Sequence, residues 1–278
     1  MSTPERDASG AVATSDGSAT RHGLLPADDP ALFELGLDEL ADRWRGGAGR
    51  SPMTAEAMTG ADRRAQRFGV PASVLMEHAG TAAAAATRAL AVKRGRWGSG
   101  SILVLAGPGN NGGDGFVMAR RLARVGARVV AVLVSTEARP GTPDASRNWD
   151  RLASEAGVTR MHAESARDLA VVARGVEKAS VVVDALLGTG VRGALRDPIR
   201  SAVEVVNRAR SAGVPVVAVD TPTAVDLTSG EPSEPVVRAD LTVTFHRPKT
   251  GLLTRRGAAL AGSVLVAPIG IPAEADRG

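Results

Sequence analysis

Four short stretches of this chain combine glycine with oxygen-bearing side chains. They are GPGNNGGDG from Gly107 to Gly115, DALLGTGVRG from Asp184 to Gly193, DTPTAVD from Asp220 to Asp226, and HRPKTG from His246 to Gly251. In the first, Gly107, Gly109 and Gly112 satisfy G-x-G-x-x-G. That spacing lets a backbone approach a phosphate closely while the next helix presents free N–H groups and the positive end of its dipole. Glu137 follows roughly where a ribose-binding acid would stand, but the Pro-Gly-Asn-Asn interior is atypical. A carboxylate at Asp114 is costly beside a phosphate unless it faces a hydroxyl or an N–H. Asp184 and Asp220 each end an apolar run. If those runs are neighbouring strands, both carboxylates share a crevice with Asn110 and Asn111, an oxygen-rich setting suited to a hard cation rather than zinc.

These stretches are held by a regular alternation. The runs SILVLA (101–106), ARVVAVLV (127–134), SVVVDALL (180–187), PVVAVD (215–220), LTVTF (241–245) and SVLVAP (263–268) read as strands. Helical patterns at about 113–125, 144–156 and 197–212 separate most of them, and helices at 53–68 and 71–92 precede the first. Continuous apolar strands alternating with helices imply an α/β domain with a mainly parallel sheet covered on both faces. The last two strands, being close in sequence, are expected to be antiparallel or loop-joined. In such a sheet, ligands bind beyond the carboxyl ends of the strands, where the four polar stretches lie. Residues 1 to about 30, rich in Ser, Thr, Asp, Gly and Pro, are expected to be disordered, and 31–44 to form one short amphipathic helix. Residues 1–50 are therefore expected to be an arm and 51–278 the working domain.

Composition narrows the chemistry. Among 278 residues there is no Cys, no Tyr and only four His, which excludes disulfide scaffolds, Cys-ligated metals and thiol catalysis. An ordinary nicotinamide oxidoreductase ranks low, since no Tyr exists to serve the hydride step. Net charge is +4 without a polybasic run, and aromatics are 3%, so no nucleic-acid partner is expected. No stretch is long and apolar enough to span a membrane and no secretory signal is visible, which makes the cytoplasm the expected compartment.

GPGNNGGDGFVMARRL (107–122), VVVDALLGTGVRG (181–193), VAVDTPTAVDLTSGE (217–231) and TFHRPKTGLL (244–253) together resemble the NAD(P)H-hydrate epimerases, the YjeF N-terminal domain family. ASVLMEHAGTAAA (72–84) is similar to that family's early helix, and the resemblance runs from about Met53 to Pro272. It implies a Rossmann-like three-layer α/β/α sandwich that interconverts the R and S forms of hydrated NADH and NADPH. It further implies substrate contacts from Asn110, Asn111, Gly112, Gly113 and Asp114, from Gly188, Thr189, Gly190, Val191, Arg192 and Gly193, and from Asp220. Potassium ligands are implied at Asn111, Asp184 and Thr223. Asp220 is the expected acid/base and Lys249 the second catalytic candidate, while His246 and His78 are expected to be structural. The family's Asp-x-Pro-Ser-Gly is here Asp220-Thr221-Pro222-Thr223-Ala224, which restricts the backbone if position 224 needs positive φ. Many relatives carry a dehydratase domain behind the epimerase. The resemblance leaves open a stand-alone epimerase with a separate dehydratase as functional partner, an epimerase fragment of a two-domain protein, or a nucleotide-binding scaffold of the same fold. The Ala-rich helices 53–68 and 71–92 would suit a homodimer face.

Overall fold

The computed structural model describes residues 23–188 and 193–276. The expectation of disorder over 1–22 and the substrate contacts expected of Thr189, Gly190, Val191 and Arg192 lie outside the described residues.

Chain order runs α1 (Leu37–Arg43), α2 (Arg45–Ala48), α3 (Ala55–Arg67), α4 (Ala72–Lys93), β1 (Ile102–Ala106), α5 (Asn110–Arg124), β2 (Val129–Val134), α6 (Pro143–Arg151), β3 (Val158–Ala163), α7 (Ala166–Val172), β4 (Val181–Ala185), α8 (Ile199–Ser211), β5 (Val216–Val219), β6 (Leu241–Phe245), α9 (Arg255–Ala261) and β7 (Ser263–Ala267). Among the described residues the strands form one seven-stranded sheet in the order β3-β2-β1-β4-β5-β6-β7, and every pairing in it is parallel. The order reverses between β1 and β4, so a crevice opens beyond their carboxyl ends. One face of the sheet packs under α3 to α6 around Val104, Phe116, Met118 and Leu133; the other packs against α7 and α8 around Leu105, Val182, Leu169 and Val206. This is the three-layer sandwich expected.

The structure corrects four expectations. First, β6 and β7 are parallel, from Leu241↔Ser263 to Phe245↔Ala267. The seven-residue α9, capped by the Thr254 hydroxyl accepting from Gly257 N–H at 3.1 Å, makes the crossover within a connection that looks loop-like in sequence. Second, β3 and α7 were not anticipated, because Thr159, Arg160 and Met161 are exposed on an edge strand with no apolar run. Third, α4 is not a free face: its residues Ala82–Ala86 are all buried within this chain, as expected of a helix apolar all round. Fourth, the segment from Leu25 is folded onto α4. Pro26–Asp28 and Leu32–Glu34 form 3-10 turns, Ala27 N–H donates to His78 Nδ1 at 3.1 Å, and Leu32, Leu40 and Trp44 enter the main core. The regular helix there is confined to Leu37–Arg43, since Gly36 is its N-cap. Asp276 ties this region down through ion pairs with Arg50 and Arg247 and a 2.7 Å bond to His246 Nε2. Among the described residues no helix is long and apolar enough to cross a membrane.

Candidate functional site

A cleft of about 560 Å³ lies over the carboxyl ends of the strands. One wall is the start of α5, with Gly109, Asn110, Asn111 and Asp114; another is α3, with Met58, Thr59, Asp62 and Arg63; Asp220, Phe245, Leu186 and Gly188 complete the strand-end side. The helix begins at Asn110 and not, as the poor propensity of NNGGDG suggests, at Gly113. Tertiary packing decides this: a Cβ on Gly112 would lie 1.8 Å from the Gly107 carbonyl oxygen, so the first turn sits directly against the end of β1. Gly112 and Gly113 are buried and therefore shape the loop from below, while the N–H groups of Asn110, Asn111 and Gly112 have no acceptor within the helix.

Asp114 sits in the second turn of α5. Burial, with Asp220 and Asp62 beside it, pushes its pKa well above the carboxylate range. The shift favours the neutral acid and eases the charge conflict with a phosphate that its position raised.

Asp184 and Asp220 do end adjacent strands, with Asp184 in register with Ala218. Asp184 is fully buried and accepts from Leu186 N–H at 3.1 Å, Thr223 N–H at 2.7 Å and the Thr223 hydroxyl at 2.7 Å. Burial raises its pKa to about 6 against the lowering effect of those bonds. Nearby, the Oδ1 and Nδ2 atoms of Asn111 are buried without any partner, and Gly188 stands against that side chain.

Asp220 is held at φ 62°, a left-handed conformation that Asp tolerates better than most residues. Its amide donates to the Val243 carbonyl at 2.8 Å and its Oδ1 accepts from the Thr244 hydroxyl at 2.9 Å. Lys249 Nζ lies 3.4 Å from the same oxygen. Lys249 is fully buried, and Nζ donates to Thr244 Oγ1 at 3.0 Å and the Phe245 carbonyl at 2.8 Å. Held there, its ammonium supplies Asp220 with a cationic partner. Met53 clamps that loop, donating to Pro248 and accepting from Thr250.

Glu137 is exposed and lies outside the cleft lining. His78 and His246 are both buried; burial and the cations Arg50, Lys249 and Arg247 push His246 down to about 3, so a neutral ring makes its bond to Asp276. Asp62 was missed in the sequence, where Asp62-Arg63-Arg64 on an amphipathic helix looks like a solvated face. No local signal distinguishes it, because its environment is made by β5 and α5.

Position 224 does require a left-handed backbone: Ala224 has φ 74°. The turn is thus kept despite the side chain, at a strain of about 1–2 kcal/mol. Ala224→Gly is expected to raise stability by about 0.5–1 kcal/mol after the added freedom of the unfolded chain is deducted, read as an upward shift in Tm.

Comparison with known proteins agrees with this geometry. The family model described as the YjeF-related protein N-terminus matches residues 72–251. The chain is 35% identical over 227 residues to the NAD(P)H-hydrate epimerase of Nitrosopumilus maritimus, covering 81% of this chain and 98% of that protein. It is 42% identical over 226 residues to the bifunctional NAD(P)H-hydrate repair enzyme Nnr of Pyrobaculum aerophilum, covering 81% of this chain and 42% of the relative. The crystal structure of yeast ynu0 superposes with a TM-score of 0.62 at 25% identity, covering 73% of this chain and 83% of that one. The chain thus spans about two fifths of the length of the bifunctional relatives it matches.

Proposed function

The chain belongs to the YjeF-related N-terminal family, and from that membership we propose that it is an isomerase interconverting the R and S forms of hydrated NADH and NADPH in cofactor repair. The observation that carries this reading is Asp220 in one cleft with the N-terminus of α5. A pyrophosphate meets the free N–H groups of Asn110, Asn111 and Gly112, and the raised pKa of Asp114 lessens its repulsion there. The nicotinamide ring then reaches the strand ends. Its hydroxyl at carbon 6 adjoins the ring nitrogen, so protonation and loss as water leave a cation stabilised by nitrogen. Water returns to the other face. Asp220 is the acid/base for these steps, and its carboxylate, oriented by Thr244 and Lys249, stabilises the positive charge as it forms. The cytoplasm is the compartment of this reaction, and a dehydratase acting on one epimer is its functional partner.

Potassium belongs to this reading as well. The buried, unpartnered Asn111 amide stands against Gly188, next in the chain to Leu187, whose N–H donates to the Thr223 hydroxyl bonded to Asp184; such a set fits a cation that takes neutral oxygen ligands. Bound there, the ion would supply positive charge beneath the substrate's phosphates. Replacing potassium by tetramethylammonium is expected to weaken nucleotide binding and lower Tm, and Asn111→Ala to remove that ion dependence. A titration calorimetry series in the two salts checks both.

The direct test is to add the R-hydrate to the protein and follow the S form by chiral chromatography or NMR. Equilibration faster than the spontaneous rate is expected; none at high protein concentration sinks the reading.

A further inference from the structure

Epimerisation at carbon 6 makes two proton demands on two sides of one ring: a proton must reach the departing hydroxyl on one face and leave the incoming water on the other. Asp220 alone meets one of them at a time. The α3 wall supplies a second carboxylate. Asp62 lines the cleft with Asp220, and its Oδ1 is closed to solvent and has no hydrogen-bond partner, a costly arrangement for a group with no ligand to meet.

We propose that Asp62 is a catalytic residue of this reaction, the acid/base counterpart of Asp220, so that one of the pair protonates the departing hydroxyl while the other takes the proton from the returning water. The proposal rests on the epimerase reading above. In the forward direction the carbon–oxygen bond at carbon 6 breaks with its electron pair going to oxygen. The Asp62 proton completes a water molecule, and the ring nitrogen's lone pair forms the iminium double bond. Water then adds to the opposite face, the iminium electrons return to nitrogen, and Asp220 takes the released proton. The pair ends with its proton transferred, and the reverse direction uses the same two groups in exchanged roles.

The charges around the two support this division. Asp62 is faced by Asp114 from α5, by Asp220 from the end of β5 and by Lys249 from beyond β6, with Arg63 beside it on its own helix. Lys249 is 3.4 Å from Asp220, whose Oδ1 also accepts from Thr244. Asp62 has no such partner on Oδ1. Burial first and then the Asp220 charge raise its pKa to about 6, against a smaller lowering by Lys249. Asp62 is therefore more easily protonated than an ordinary aspartate, while Asp220 has the lysine as its ion-pair partner. Because the acid must carry its proton, kcat/KM in the forward direction should fall as pH rises through about 6.

The experiment uses the full chain and hydrated NADPH, with Asp62→Asn beside the native protein. The expected result is a fall in kcat of about 100-fold or more, with NADPH affinity and Tm retained and the limb near pH 6 lost from kcat/KM. Asp62→Ala is expected to regain part of its rate with added formate, as a positioning or packing role would not. An Asp62→Asn protein turning over within a few-fold of the native rate, or keeping the limb, overturns the pairing and leaves the epimerase reading intact. A native protein that does not accelerate the interconversion overturns both.

Discussion

Asp220→Ala is expected to lower kcat for epimer interconversion by about 10²- to 10⁴-fold, the range for removing a positioned acid/base. A second effect accompanies it. Lys249 has no exposure to solvent, and Asp220 is its anionic partner at 3.4 Å. Deleting the carboxylate leaves a buried cation with only Thr244 and backbone carbonyls, at a stability loss on the order of 3 kcal/mol. Asp220→Asn separates the two effects. Its amide oxygen can still accept from Thr244, and asparagine tolerates the left-handed backbone at φ 62°. The asparagine variant should therefore lose the rate with a smaller fall in Tm. Rates within tenfold of native for both variants would remove Asp220 from the chemistry.

Gly112→Ala is the second large effect. The added Cβ would lie 1.8 Å from the Gly107 carbonyl oxygen, 2.8 Å from its carbon and 3.0 Å from its nitrogen. All three are backbone atoms at the end of β1, so no side chain can turn aside. Either the start of α5 lifts from the sheet or β1 is displaced. We expect a loss of about 3 kcal/mol, the upper end of overpacking penalties, or about 6–12 °C in Tm, together with weakened nucleotide binding as the first-turn N–H groups move. Gly109→Ala is the control for stability, since nothing lies within 4 Å of a Cβ there. Equal melting temperatures for the two variants would show that the close approach at Gly112 is relaxed without cost.

What could be read from the sequence divides along physical lines. Strands buried on both faces, such as Val181–Ala185 and Leu241–Phe245, announce themselves as apolar runs. The edge strand Val158–Ala163 has solvent on one side and one neighbour, and its composition follows that environment. Asp184, Asp220 and the Asn110–Asp114 loop were legible because glycine and polar side chains seldom gather at the ends of four apolar runs by accident. Asp62 was not, because a carboxylate on an amphipathic helix is ordinary until another element closes over it. Lys249 was visible as a candidate but not as a buried one. Its depth depends on the Met53 backbone bridging to Pro248 and Thr250, a contact that no spacing in the sequence announces.

The clasp at Asp276 bears on how this chain can be made. Arg50 and Asp276 are 226 residues apart, and α1 and α2 rest on β7. During vectorial synthesis at about 5–20 residues per second, the interval between the two is roughly 10–45 s. Throughout it, α1 and α2 have emerged while the strand they rest on has not. The nascent chain can seat this segment on α4 early, but the side of α1 and α2 that rests on β7 stays uncovered until nearly the last described residue appears. That makes this segment the place where a ribosome-associated chaperone would find it.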